Sequence, residues 1–159
     1  MHAQRGRPRA EHGFSLIELM VVVLVIAILI AIVVPTFFSA RDRAENRAAE
    51  TTLRHALIAA KTIYSDSNGF AGADESATGL ITVEPGLQYM AHDTNSTGPK
   101  IVSVRASSGA WSAAVRSQSG DCYWIKELAN GATSFGGDRN APSTCTGDDA
   151  DGAVSPAFP

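Results

Sequence analysis

The sequence predicts an α+β protein. One long, protruding N-terminal α-helix spans a membrane in its first half and packs in its second half on a small antiparallel β-sheet of three to four strands. Three observations carry that prediction. Residues 19–34 form an unbroken apolar run, and from 14 to 40 the only charged side chain is Glu18. Residues 41–66 then become amphipathic, and from residue 100 onward short alternating runs are separated by Gly, Ser and Asn.

The apolar run matches the roughly 20 residues that a helix needs to cross the hydrocarbon of a bilayer. Ahead of it, residues 1–13 hold Arg5, Arg7, Arg9, two histidines, Gly6 and Pro8 with no apolar periodicity, which reads as a basic leader. Short basic flanks stay on the cytoplasmic side, so the C-terminal domain is expected outside. Glu18 is an acid in a membrane helix, a functional position by default, and it lies only four residues in from Phe14. Pro35 removes an amide hydrogen and crowds the carbonyl of Ala31; it is expected to kink the helix without ending it. Ser39 and Ala40 leave ordinary signal cleavage after the run as a minor alternative.

Beyond Pro35, Ala49, Leu53, Ala56, Leu57, Ala60, Ile63 and Tyr64 follow a three-to-four spacing that places one apolar face on a domain, opposite a charged face. Asn68-Gly69 supplies the stop. The expected divisions are a leader at 1–13, a helix at 14–66 (transmembrane at 14–38, amphipathic at 39–66), a loop at 67–99, and the sheet with a C-terminal region at 100–159. The loop holds two short apolar pieces, Leu80-Ile81-Thr82-Val83 and Leu87-Gln88-Tyr89-Met90. In the sheet, Val102, Val104 and Ala106 share one strand face, as do Trp111, Ala113 and Val115. A third strand begins at Cys122 and a fourth is expected near Thr133-Ser134-Phe135. Ser107-Ser108-Gly109, Ser119-Gly120-Asp121 and Asn130-Gly131 supply the turns. Residues 136–159 are mostly small and polar, and burial alone is not expected to hold them.

Cys122 and Cys145 are the two cysteines, both in the part expected outside the membrane, where an even count reads as one disulfide. Two free thiols in a reducing compartment are the alternative. A bond between them would tie the C-terminal region to the third strand.

The net charge of −3 offers no basic surface for nucleic acid, and loss of residues 1–13 would lower it by two, to −5. His2, His12, His55 and His92 are scattered, with no cysteine at metal-ligand spacing. No phosphate-binding glycine loop and no nucleophile elbow occur. Asp148-Asp149-Ala150-Asp151-Gly152 has the carboxylate density of a calcium loop without its twelve-residue pattern, and is read as a solvated acidic tail. Asn95-Ser96-Thr97 fits a glycosylation sequon that is common by chance. These readings call for no enzyme, no cofactor and no resident metal.

The string Gly13-Phe14-Ser15-Leu16-Ile17-Glu18-Leu19-Met20-Val21-Val22 closely resembles the class III signal of type IV pilins and pseudopilins. That resemblance implies a prepilin peptidase cutting between Gly13 and Phe14 and methylating the new amine of Phe14. It implies further that Glu18 pairs with the Phe14 amine of a neighbouring subunit as helices bundle into a homo-oligomeric filament. An unpaired carboxylate would be costly in such a bundle, so the pair would select a fixed stagger. The Cys122-Tyr123-Trp124-Ile125-Lys126 segment is similar to the start of the disulfide-bounded C-terminal region of several pilins. The implied partners are the inner-membrane assembly platform, minor pilins and, before assembly, the lipid bilayer. The implied location is the cytoplasmic membrane and then a surface filament. A pseudopilin of a type II secretion system or of a competence filament is the nearest rival, and a membrane-anchored binding domain that never polymerises is a third reading.

Overall fold

The computed structural model describes residues 13–139, 142–153 and 155–159. The chain divides into two units, residues 1–39 and 40–159. Helix α1, Leu16–Ser67, contributes to both.

In the first unit α1 begins where the Ser15 carbonyl accepts the amides of Glu18 at 3.1 Å and Leu19 at 3.2 Å. Every large apolar side chain from Phe14 to Val34, and then Phe37 and Phe38, is exposed. The helix runs through Pro35, and the Thr36 hydroxyl donates back to the Ile32 carbonyl at 2.7 Å. Helical hydrogen bonding satisfies the backbone from within, which is the requirement lipid imposes. By length and composition α1 is able to cross a membrane.

The second unit is built where α1 changes character. Ala49, Thr52, Leu53, Ala56, Ala59 and Ala60 are its buried residues, an alanine-rich stripe that lets the helix backbone approach a sheet closely. The helix stops at Asn68, whose φ of 56° is left-handed and whose amide returns to the Tyr64 carbonyl at 2.7 Å.

The sheet has five strands in chain order: β1 Gln88–Ala91, β2 Ile101–Ala106, β3 Ala110–Arg116, β4 Cys122–Leu128 and β5 Thr133–Asp138. All neighbours are antiparallel except β1 and β2, which run parallel with Gln88 opposite Ile101. The core joins the α1 stripe to Val102, Val104, Trp111, Ala113, Val115, Tyr123 and Ile125. Trp111 is fully buried, and its indole N–H donates to the Ala73 carbonyl at 3.0 Å. On the other face Ala114, Cys122 and Cys145 cluster with Trp124. Gly120 and Gly131 turn the chain after β3 and β4 with φ of 101° and 85°, a region that side chains disfavour.

The architecture is the α+β class expected, with more strands than expected. The expected fourth strand is β5. The fifth is β1, within the stretch read as a loop, and its neighbour Leu80–Val83 forms a single turn of helix, α2. β1 gains its hydrogen bonds by pairing with β2 across the intervening residues, and α2 is anchored by the Leu80 amide on the Asp74 carbonyl at 3.0 Å.

One ion pair ties helix to sheet inside the core. Glu127 on β4 is 2% exposed; its carboxylate meets Lys61 Nζ of α1 at 2.8 Å and accepts the Thr133 hydroxyl. A buried carboxylate stripped of its cation keeps its desolvation cost. Lys61 is itself half-exposed, so Lys61→Met is expected to destabilise by only about 1–3 kcal/mol. Urea unfolding of the detergent-solubilised chain measures this, and adding Glu127→Gln should recover part of the loss. An unchanged midpoint in the single variant would mean that the pair contributes nothing.

Candidate functional site

Gly13 and Phe14 lie immediately ahead of α1, and Phe14 is 81% exposed. Glu18 sits in the first turn of the helix, where a negative charge interacts favourably with the positive end of the helix dipole. Among the described residues no cation lies within ion-pair distance of it. The expected leader, apart from Gly13, falls outside the described residues. A shallow groove along Leu19, Met20, Val23, Leu24 and Ala27 is the relief of one bare helix face. The surface around Glu18 is thus apolar, unpartnered among the described residues, and interrupted by one carboxylate.

The second site is the clasp that fastens the C-terminal region to the sheet. Cys122 and Cys145 are joined, with Cα atoms 5.6 Å apart. The Cys145 amide donates to Asn95 Oδ1 at 2.6 Å, and the Cys145 carbonyl accepts the Ser96 amide at 2.9 Å. Two residues on, the Gly147 amide donates to Ser103 Oγ and its carbonyl accepts Ser112 Oγ, each at 2.9 Å. Gly147 lies so flat on β2 that a Cβ there would stand 3.0 Å from the Arg105 amide nitrogen, which accounts for the glycine. Asn95 of the sequon is therefore engaged in this clasp through its side-chain oxygen.

Charges reinforce the clasp. Asp148 meets Arg105 and His92, each at 3.0 Å, and Asp151 meets Lys126 at 2.7 Å. Asp149 accepts the amide and hydroxyl of Thr146 at 2.8 and 3.0 Å, at the start of a short 3-10 helix, Asp149–Gly152. The acidic run read as a solvated tail is thus a set of partners for Arg105 and Lys126 on the sheet, and the His92 ring, just beyond β1, is another partner of Asp148. The Lys126 hydrogen bond and charge hold the Asp151 carboxyl below its ordinary value. That contribution is present above the ordinary aspartate range and disappears as pH falls through the lowered value; it is small, because the group is well exposed.

Strand pairing and burial hold this region beside the disulfide. Ser155 exchanges hydrogen bonds with Phe135 at 2.8 and 3.1 Å, extending the sheet at β5. The Phe158 ring stacks edge-on against Phe135 and Tyr123, at centroid distances of 4.7 and 5.9 Å. Arg54 of α1 lies over both phenylalanine rings, 5.3 Å from Phe135 and 5.2 Å from Phe158. Sequence periodicity held no signal for this contact, because a lone Phe in a polar tail has no pattern around it.

Residues 8–34 match the family described as the prokaryotic N-terminal methylation motif. The head of the chain carries that motif. The type IV major pilin protein PilA of Myxococcus xanthus (strain DK1622) is 38% identical to it over 71 residues, which cover 45% of this chain and 32% of that relative. The match thus spans about a third of the relative's length. No solved structure matches the chain. The family resemblance rests on the segment that contains Gly13, Phe14 and Glu18, and the disulfide and the helix-on-sheet fold accompany it.

Reduction of the disulfide is expected to release the C-terminal end only in part, since Gly147, Ser155 and Phe158 retain their own contacts. Limited proteolysis with and without reductant should show faster cleavage confined to residues near Cys145. Wholesale loss of the segment would mean that the hydrogen bonds and ring contacts contribute little without the bond.

Proposed function

We propose that the chain is the precursor of a type IV pilus subunit, stored in the cytoplasmic membrane with residues 40–159 outside and then polymerised into a surface filament. The observation that carries this reading is the methylation motif at the head of a bare apolar helix whose single charge is Glu18. A prepilin peptidase cleaves between Gly13 and Phe14 and methylates Phe14. Cleavage removes the basic leader and creates an amine four residues before Glu18.

In the bilayer Glu18 is shallow and reaches headgroup water, so its cost is modest. In the filament the helices pack on one another, and Glu18 meets the Phe14 amine of a neighbouring subunit. That pair fixes the axial stagger, because a displaced subunit would leave a carboxylate unpaired among apolar side chains. Pro35 bends or loosens the helix between its lipid-facing and domain-facing parts. The platform proteins of the inner membrane and minor pilins act at assembly, and the filament serves adhesion, motility or DNA uptake. The work is mechanical, and no catalytic step is assigned to the chain. The disulfide-bounded C-terminal region supports a pilus rather than a pseudopilus subunit.

Intact-mass analysis of the mature protein should show loss of residues 1–13 and one added methyl group on Phe14; an unprocessed chain would sink this reading. Glu18→Ala should leave the protein in the membrane fraction while filaments vanish from sheared-cell preparations viewed by electron microscopy. Normal filaments in that variant would remove Glu18 from assembly.

A further inference from the structure

Within residues 40–159, α1 and α2 leave a groove of about 220 Å³ lined by His55, Ile58, Ala59, Val83 and Glu84. Two exposed aliphatic side chains meet there, Ile58 at 63% and Val83 at 40% exposure, and Ile81 of α2 is exposed as well. The segment that carries α2 is acidic: residues 62–99 hold Asp66, Asp74, Glu75, Glu84 and Asp93 and no lysine or arginine. Among the described residues none of these five carboxylates forms an ion pair. Two such grooves set face to face would bring like charges together, which disfavours a symmetric contact. A fitting occupant offers a cation beside a smooth neutral surface. The same helix carries one a few turns earlier. Ala44, Arg47, Ala48 and Thr51 are exposed and, at i, i+3, i+4 and i+7, share one face of α1. The Thr51 hydroxyl donates back to the Arg47 carbonyl at 2.8 Å, so the guanidinium is the one charged group of that face. Carboxylates pair with Arg41, Lys61, Arg105 and Lys126, and Arg54 lies over two phenylalanine rings; among the described residues Arg47 has no ion-pair partner.

We propose that the groove of one copy receives the Ala44–Thr51 face of α1 of a second copy, with Glu84 opposite Arg47 and with Ile58 and Val83 against the two alanines. Charge decides the pairing, because an unpaired carboxylate on one surface meets an unpaired guanidinium on the other. The alanines add no bulk, so the two aliphatic side chains approach the helix closely. Because the two surfaces differ, the contact is heterologous: every copy offers both, and copies add in a row instead of closing as pairs. The inference rests on the filament reading above, in which bundled helices hold the copies at high effective concentration. A contact this small suffices under that condition.

The test uses the full chain in cells and filaments sheared from them. Val83→Cys combined with Ala48→Cys, treated with a short bismaleimide, is expected to give a ladder of linked copies on denaturing gels. Val83→Cys alone should give monomers, and so should Val83→Cys combined with Ala132→Cys, on the turn between β4 and β5. In the first pair Glu84→Arg should lower the ladder about five-fold, the most that an exposed ion pair supplies, and adding Arg47→Glu should restore it. Cells that make no filaments from the unsubstituted chain overturn the filament reading itself. Filaments that give no ladder, or an equal ladder with Ala132→Cys, overturn this contact and leave the filament reading standing. Dimers from Val83→Cys alone do the same, since they would show a symmetric groove-to-groove contact. A ladder that Glu84→Arg leaves unchanged, or that Arg47→Glu fails to restore, also overturns it.

Discussion

The structure depends on a change of solvent along one helix. Up to Phe38, α1 is apolar but for Glu18 and Thr36, and among the described residues nothing covers its large apolar side chains; from Ala49 its buried residues form one stripe, and the sheet covers that stripe. A helix exposed in this way cannot persist singly in water, because each large aliphatic side chain left bare forgoes about 1.5–3 kcal/mol of burial. Lipid or other copies of the same helix must supply the missing environment for the first part. The second part brings its own, in the form of β2, β3 and β4.

The stripe shows why the sheet is able to lie close. Alanine at 49, 56, 59 and 60 adds no bulk, so Leu53 shares one core with Val102, Val104, Trp111 and Ile125 without forcing the helix away. The polar ties placed around this contact have different reaches. Lys61 and Glu127 join the far part of α1 to β4, while Asn46 donates to Asp121 at 2.8 Å and accepts Ser119 Oγ at 2.6 Å near the exit from the apolar run. Helix and sheet are thereby fixed at both ends of their contact, by groups whose geometry apolar packing alone would leave free to slide.

Local pattern made the larger elements legible and long-range pairing hid the smaller ones. The helix announces itself through period and an Asn-Gly stop, and β2 to β4 through alternation: Val102 with Val104, then Trp111, Ala113 and Val115. β1 carries no such mark, because Gln88 to Ala91 becomes a strand only by parallel pairing with β2. Leu80–Val83 has β-favouring residues and is nevertheless helical, held by the Leu80 and Thr82 amides donating to the Asp74 and Gly79 carbonyls. The methylation segment was readable because its residues are contiguous. The contact of Arg54 with Phe135 and Phe158 was not, since α1, β5 and the C-terminal end must first be brought together.

The C-terminal clasp and the apolar helix place opposite demands on the same chain. Storage in a membrane and later transfer between helices, as proposed, require that residues 14–38 exchange partners, and among the described residues no ion pair or disulfide ties them to the rest of the chain. On the same proposal residues 145–158 survive that exchange outside the cell, and there the bonds are redundant. A disulfide, backbone hydrogen bonds at Cys145, Gly147 and Ser155, ion pairs at Asp148 and Asp151, and the Phe158 ring each secure a different point. No one of them is exposed to every perturbation: acid weakens the ion pairs, reductant the disulfide, and neither removes the strand pairing. In the filament proposed above, Glu18 and the Phe14 amine of a neighbour are the exception there, gaining each other as partners only when a second subunit arrives.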